Sequence, residues 1–262
     1  MTAHKPADPG RTADPVRLLV CARRRAGLGR GEFQQRWLAL HRDLARRLPA
    51  AGITAYLQNH IYEAEFLESF RELRGGMEAD GFDAITEVAF DTMPENDNAS
   101  GKALEQLLDA EMAFPDTGAR RLLLVREHQV FMDSVAPGAT VHKMIICVRR
   151  RPELSREAFQ RYWREEHGPL ALALRRRGLT PPMIGYVQNH TLEHPAIERY
   201  ADGADLYDGV ATVWLDRSDD LDLRGTTEQQ LLEADRMLVD DEAKFVAPKR
   251  STVCMAVEQV IR

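Results

Sequence analysis

Cysteine is scarce in this chain, and its spacing pairs nothing. Cys21, Cys147 and Cys254 each lie inside an apolar run, with no C-x-x-C among them. An odd number so placed argues against a disulfide framework and a zinc site and fits a reduced compartment. No apolar run approaches the ~20 residues that a membrane-spanning helix needs. The nucleophile elbow, the P-loop, the dinucleotide fingerprint and metal-ligand spacings are all missing. Excess positive charge is missing too. The net charge is −6, which argues against a nucleic-acid backbone as the main partner. Residues 1–14 contain no apolar core, so they read as a disordered tail and not as a secretory signal. These absences lead to an expectation of a soluble, cytoplasmic protein that handles a small molecule, with no metal and no membrane or nucleic-acid partner.

The 262 residues, 44% hydrophobic and 29% charged, suffice for one large or two small domains. A repeat decides between them. Residues 17–41 align without a gap with 143–167. The pairs Cys21/Cys147, Arg23/Arg149, Arg24/Arg150, Arg25/Arg151, Phe33/Phe159, Gln34/Gln160, Trp37/Trp163 and His41/His167 are identical. Tyr56-Leu57-Gln58-Asn59-His60 then matches Tyr186-Val187-Gln188-Asn189-His190 after a short insertion in the second copy. Phe82-Asp83 matches Tyr207-Asp208, and Leu107-Leu108-Asp109-Ala110 matches Leu231-Leu232-Glu233-Ala234. Similarity kept in order along the chain is a duplicated domain. The expected organisation is a tail at 1–14, a first domain at 15–133, a linker at 134–140 and a second domain at 141–262.

Each copy reads β-α-β-β-α-β, the order of a ferredoxin-like α+β unit with helices on one face of an antiparallel sheet. The uncovered faces of two such sheets would pack together or close into an intramolecular barrel, with a pocket between them. Phe, Trp and His recur at i, i+4 and i+8 in the first helix of each copy, which sets them along one flank. That geometry places His41 and His167 at the edge of the apolar stripe. Alternation along the strands is read as placing Tyr56, Gln58, His60 and Glu87 on the inter-sheet side. Tyr186, Gln188, His190 and Thr212 take the matching places. The same reading sets Asn59 and Asn189 against helices, a conflict that would be removed if they sat near strand ends or if the register slipped by one residue. The arginine runs 23–25 and 149–151 read as solvated strand ends, or as the mouth of a site for an anion.

The pattern Phe-x-x-x-Trp-x-x-x-His, the His167-Gly168-Pro169-Leu170 continuation and Tyr-x-Gln-Asn-His on the next strand resemble an EthD domain of the dimeric α+β barrel superfamily. The resemblance spans nearly the whole chain as two fused copies. The first copy departs from it, with Arg36 for the tyrosine at Tyr162 and Arg42-Asp43 for Gly-Pro. Similar proteins accompany the breakdown of ethers and other xenobiotics, or decarboxylate or dehydrate aromatic polyketide intermediates. Barrel relatives include lactone isomerases, polyketide cyclases and haem-degrading or cofactor-free monooxygenases. Most need no organic cofactor.

Together the residues and the resemblance lead to a cofactor-independent lyase or isomerase acting on a small ring-containing organic acid, phenol or polyketide-like intermediate. His41, Glu87 and His167 are the candidate acid/base groups. Tyr56, Gln58, His60, Tyr186, Gln188 and His190 are candidates for holding substrate. Burial would raise the Glu87 carboxyl, and Thr212 in its place makes the two copies unequal. The first copy is expected to carry the chemistry and the second to bind. A non-catalytic binding protein and a haem- or substrate-dependent monooxygenase stand as alternatives, with His41, His60, His167 and His190 as axial ligands in the haem case. Dimerisation through outer surfaces is left open.

Overall fold

The computed structural model describes residues 15–48, 52–78, 81–134, 141–181, 183–200, 206–216 and 227–262. The expected tail and nearly all of the expected linker lie outside the described residues. The first half runs β1 (Val16–Arg24), α1 (Arg30–Arg47), β2 (Ile53–Tyr62), α2 (Phe66–Leu73), β3 (Ala84–Phe90), α3 (Ala99–Ala113) and β4 (Thr117–Met132). The second half opens with β5 (Val141–Val148) and α4 (Arg156–Tyr162), which passes through a π-helical turn (Trp163–His167) into α5 (Gly168–Arg176). It continues with β6 (Met183–Thr191), α6 (Pro195–Tyr200), β7 (Gly209–Asp216), α7 (Glu228–Glu242) and β8 (Thr252–Val260). The strands close into one antiparallel barrel in the order β1-β3-β2-β8-β5-β7-β6-β4. The halves are sewn together by β2 on β8 and β4 on β6, so one chain forms the whole barrel.

The local chemistry explains the helices. Phe33, Trp37, His41 and Leu44 form the buried stripe of α1. Ser155 caps α4 by accepting from the Ala158 amide, and Asn98 caps α3 by accepting from Gly101. Pro169 does not end the second copy of the long helix. The chain widens into the π turn just before it, with the Gly168 amide bonded to the Trp163 carbonyl, and the helix resumes.

The short helices α2 and α6 were not anticipated, and they interlock the halves. Leu67 of α2 packs with Met77 on Val253 and Met255 of β8. Arg74, just past α2, pairs with Asp235 at 2.7 Å and Glu242 at 3.0 Å on α7. In return Ala196 and Ile197 of α6 join the helix core of the first half, and the Tyr200 hydroxyl donates to Asp109 at 2.7 Å.

Register fixes which side chains face the lumen. Directly opposed residues of an antiparallel pair lie on the same face. Tyr56 opposes Val88 and Gln58 opposes Thr86, whereas Leu57 opposes Glu87 and Asn59 opposes Ile85. Val88 and Tyr56 share a core with Phe33 and Trp37 of α1, so that face is the helix side. Leu19, Ile85, Val125, Ile145, Val210 and Ala256 share the other core, drawn from both halves. Glu87 and Thr212 therefore face the lumen as expected. Tyr56, Gln58 and His60 do not, and neither do Tyr186, Gln188 and His190. They face the helices, and Asn59 and Asn189 point inward.

The expected pocket between the sheets is occupied by side chains. Beside the apolar layer lies a buried ionic layer. Lys143, only 1% exposed, reaches Glu258 at 2.7 Å and Glu87 at 3.2 Å. Its counterpart in the repeat, Arg17, pairs with Glu127 and stands 4.0 Å from Glu87. Asn59 donates to Glu87 at 2.6 Å, and Asn189 makes the equivalent bond to Thr212 at 3.4 Å. Burial does push the Glu87 carboxyl upward, but Lys143, Arg17 and Asn59 outweigh it and hold the group at about 2. The expected raised, proton-carrying Glu87 is thus corrected to an ionised member of a structural network.

Candidate functional site

Each half brings its histidine, tyrosine and glutamine together between the long helix and the sheet, with a carboxylate from α3 in the first half and α7 in the second. In the first half His41 Nδ1 hydrogen-bonds the Tyr56 hydroxyl. Its Nε2 lies 2.7 Å from Glu111 of α3 but without hydrogen-bond alignment. Trp37 Nε1 donates to the other Glu111 oxygen at 3.4 Å. Gln58 donates to Thr86 at 3.3 Å, and its Oε1 accepts from His60 Nε2 at 3.2 Å. His41 was expected at the edge of the core, yet it is 0% exposed. Burial and the Glu111 charge push the Tyr56 phenol far up, so it stays neutral.

The second half is built differently on the same plan. His167 Nδ1 hydrogen-bonds Asp241 of α7 at 2.9 Å. The other Asp241 oxygen accepts from the Tyr162 hydroxyl at 2.6 Å and from Lys244 at 3.0 Å. Burial works against the Asp241 charge, but His167, Tyr162 and Lys244 hold its carboxyl well below the usual range. Trp163 Nε1 donates to the Tyr186 hydroxyl at 2.9 Å. Gln188 donates to the Trp163 carbonyl at 2.8 Å, at the head of the π turn. Gly168 makes that approach feasible, because a Cβ there would stand 2.9 Å from Gln188 Nε2. His190 stacks edge-on against Trp163 at 5.0 Å, and its buried Nδ1 has no hydrogen-bond partner. Burial, then His128 and Arg164, lower His190 to about 3, so it is a neutral imidazole near pH 7. His167 is 6% exposed.

The departures of the first copy now have structural consequences. Tyr162 holds Asp241, whereas Arg36 in its place turns to Asp116 at 3.0 Å and Glu32 at 2.5 Å. Regular helix runs through His41, whereas the π turn ends at His167. The two carboxylates are not equivalent either: in the register of the repeat Glu111 corresponds to Asp235, not to Asp241. Sequence reading missed both. The signal was there in Leu104, Leu107, Leu108 and Glu111, which fall on one buried stripe of α3.

Glu87 cannot join His41 in one site. It lies on the lumen face of β3, while His41 lies beyond the opposite face. An axial role for His41 toward haem does not fit, since its Nδ1 is taken by Tyr56 and its Nε2 is closed in by Glu111. Among the described residues, no group of three or more His, Cys, Asp or Glu side chains is arranged to hold a metal ion. No helix among them is long and apolar enough to cross a membrane.

Comparison with solved structures finds an anthrone oxidase-like protein with 12% identity and a TM-score of 0.56, covering 95% of this chain and 94% of that one. A candidate monooxygenase from Fusobacterium nucleatum subsp. nucleatum shares 8% identity at a TM-score of 0.52, covering 96% and 94%. At such identities the likeness is one of fold. No curated protein matches the sequence. The EthD domain model matches residues 25–117 and again 151–249. With both halves of the barrel matched, the chain belongs to the EthD-domain family, as two such domains in tandem.

Proposed function

We propose that the chain is an enzyme that removes a proton from a small ring-containing phenol or organic acid. It works from the second half, with His167 as the base and no organic cofactor. The observation that carries this reading is the aligned His167–Asp241 hydrogen bond. A carboxylate on one imidazole nitrogen orients the ring and stabilises the imidazolium that forms when the other nitrogen takes a proton. Tyr186, kept neutral chiefly by burial, is a donor for a developing enolate or phenolate oxygen. His190 and Gln188 supply further neutral hydrogen-bonding groups. The π turn favours the same half, since such turns occur frequently at functional sites. The first half, with its histidine fully enclosed, is the structural counterpart.

The reaction that follows proton removal is best read as oxygenation. The solved structures of similar fold include proteins named for oxidase and monooxygenase chemistry. A ring CH2 acidified by neighbouring carbonyl or phenol groups would lose its proton to His167. The resulting carbanion would reduce O2, giving C=O on the ring and one water per O2 consumed. A lyase or isomerase would share the first step and consume no oxygen. Oxygen uptake with an anthrone as substrate tests the reading. Uptake above the uncatalysed rate, with formation of the quinone, supports oxygenation. Turnover without uptake turns the assignment to a lyase or isomerase, and saturable binding with no turnover to a carrier.

A further inference from the structure

The repeat places two cavities at equivalent positions on one end of the barrel, one beside each long helix. Their volumes are about 430 Å³ in the first half and about 510 Å³ in the second. They share a bracket. Arg24 and Arg30 both pair with Asp83, and Arg150 and Arg156 both pair with Asp208. This bracket ties the end of the first strand to the start of the helix in each half.

Beyond the bracket the cavities differ in charge. The second is lined by three arginines, Arg150, Arg156 and Arg250, against three carboxylates, Glu193, Glu198 and Asp208. The first is lined by five arginines, at 23, 24, 25, 30 and 71, against two carboxylates, Glu63 and Asp83. Arg71, on α2, donates to the Val253 carbonyl at 3.3 Å. It pairs with no carboxylate among the described residues, and its buried Nε has no hydrogen-bond partner. The wall also includes the turn at 26–28 that leads into α1. Gly29 caps that helix with no side-chain bond, whereas Ser155 satisfies the equivalent helix in the second half. Below the arginines the cavity is lined by Leu28, Ile61, Leu67, Phe82, Val253 and Cys254.

We propose that this first-half cavity binds a small organic carboxylate, with its apolar body against Ile61, Leu67, Phe82 and Val253 and its carboxylate on Arg71. A guanidinium presents its donors in a planar fork that a carboxylate matches with two oxygens. The apolar floor selects an organic anion over an inorganic one, since a bare phosphate would leave that surface unfilled. The site is separate from His167 and does not depend on the function proposed for it.

Calorimetric titration of the full chain with benzoate tests this, with benzyl alcohol as the neutral control. Saturable benzoate binding is expected, with benzyl alcohol at least 10-fold weaker. Arg71→Gln should weaken benzoate at least 10-fold. Ala26→Glu, at an exposed position on the cavity wall, should weaken it several-fold without touching a buried contact. Arg250→Gln in the other cavity and His167→Ala should leave it within 2-fold. Unchanged binding in both Arg71→Gln and Ala26→Glu would overturn the proposal. So would loss of binding in His167→Ala alone, or inorganic phosphate binding where benzoate does not.

Discussion

His167, at the end of the π turn, and Asp241 of α7 meet across 2.9 Å. The first half answers with Glu111, from a different turn of the equivalent helix, against a histidine sealed from solvent. The duplicated scaffold has thus placed a carboxylate beside the same imidazole in two ways, and only one of them is aligned and edged by solvent.

That difference separates the two histidines in experiment. His167→Ala should lower turnover by ~10²–10⁴, the usual worth of a positioned base, with a melting temperature close to that of the parent. His41→Ala should leave Glu111 and Tyr56 buried without their partner, at a cost on the order of 3 kcal/mol. Thermal melts and rates on the same preparations check both.

Glu87 should matter to acid stability and not to chemistry. Its folded pKa of about 2 lies below its ordinary value of 4.5. A depressed carboxylate contributes stability that is complete above the unfolded value and is lost as pH falls through the folded one. Glu87→Gln should therefore flatten the dependence of stability on pH between roughly 4.5 and 2, relative to the parent. Denaturant titrations across that range would show it. A drop in turnover at neutral pH in a folded Glu87→Gln protein would contradict its placement in the lumen network.

Gly209 should resist enlargement. A Cβ there would overlap the Trp163 ring, although the first copy carries Ala84 at the same place. Overpacking of this kind costs about 1–3 kcal/mol. Gly209→Ala should lower the melting temperature and perturb tryptophan fluorescence, and Ala84→Gly should not mirror it.

Much of this architecture can be read from the repeat, because order and spacing survive even where identities do not. The stripe Phe33–Trp37–His41 and the inward side of β3 and β7 follow from simple periodicity. The faces of β2 and β6 do not. A barrel strand with helices outside and a filled lumen inside is buried on both faces, so polarity stops reporting direction. Gln58 and Asn59 are adjacent, polar and buried, and each amide nitrogen donates on its own side, to Thr86 and to Glu87. The acids were lost for another reason. Glu111 and Asp241 come from distant helices, and only their positions on buried stripes mark them as more than surface charge.

The central claim is that the second half removes a proton from carbon. The most direct test is exchange of the acidic ring hydrogens of an anthrone for deuterium, in D2O without oxygen, followed by NMR. The parent protein should accelerate exchange above the solvent rate. Asp241→Asn should lose at least 100-fold of that acceleration, while a folded Glu87→Gln protein keeps it. Exchange that survives intact in both His167→Ala and Asp241→Asn would contradict the account.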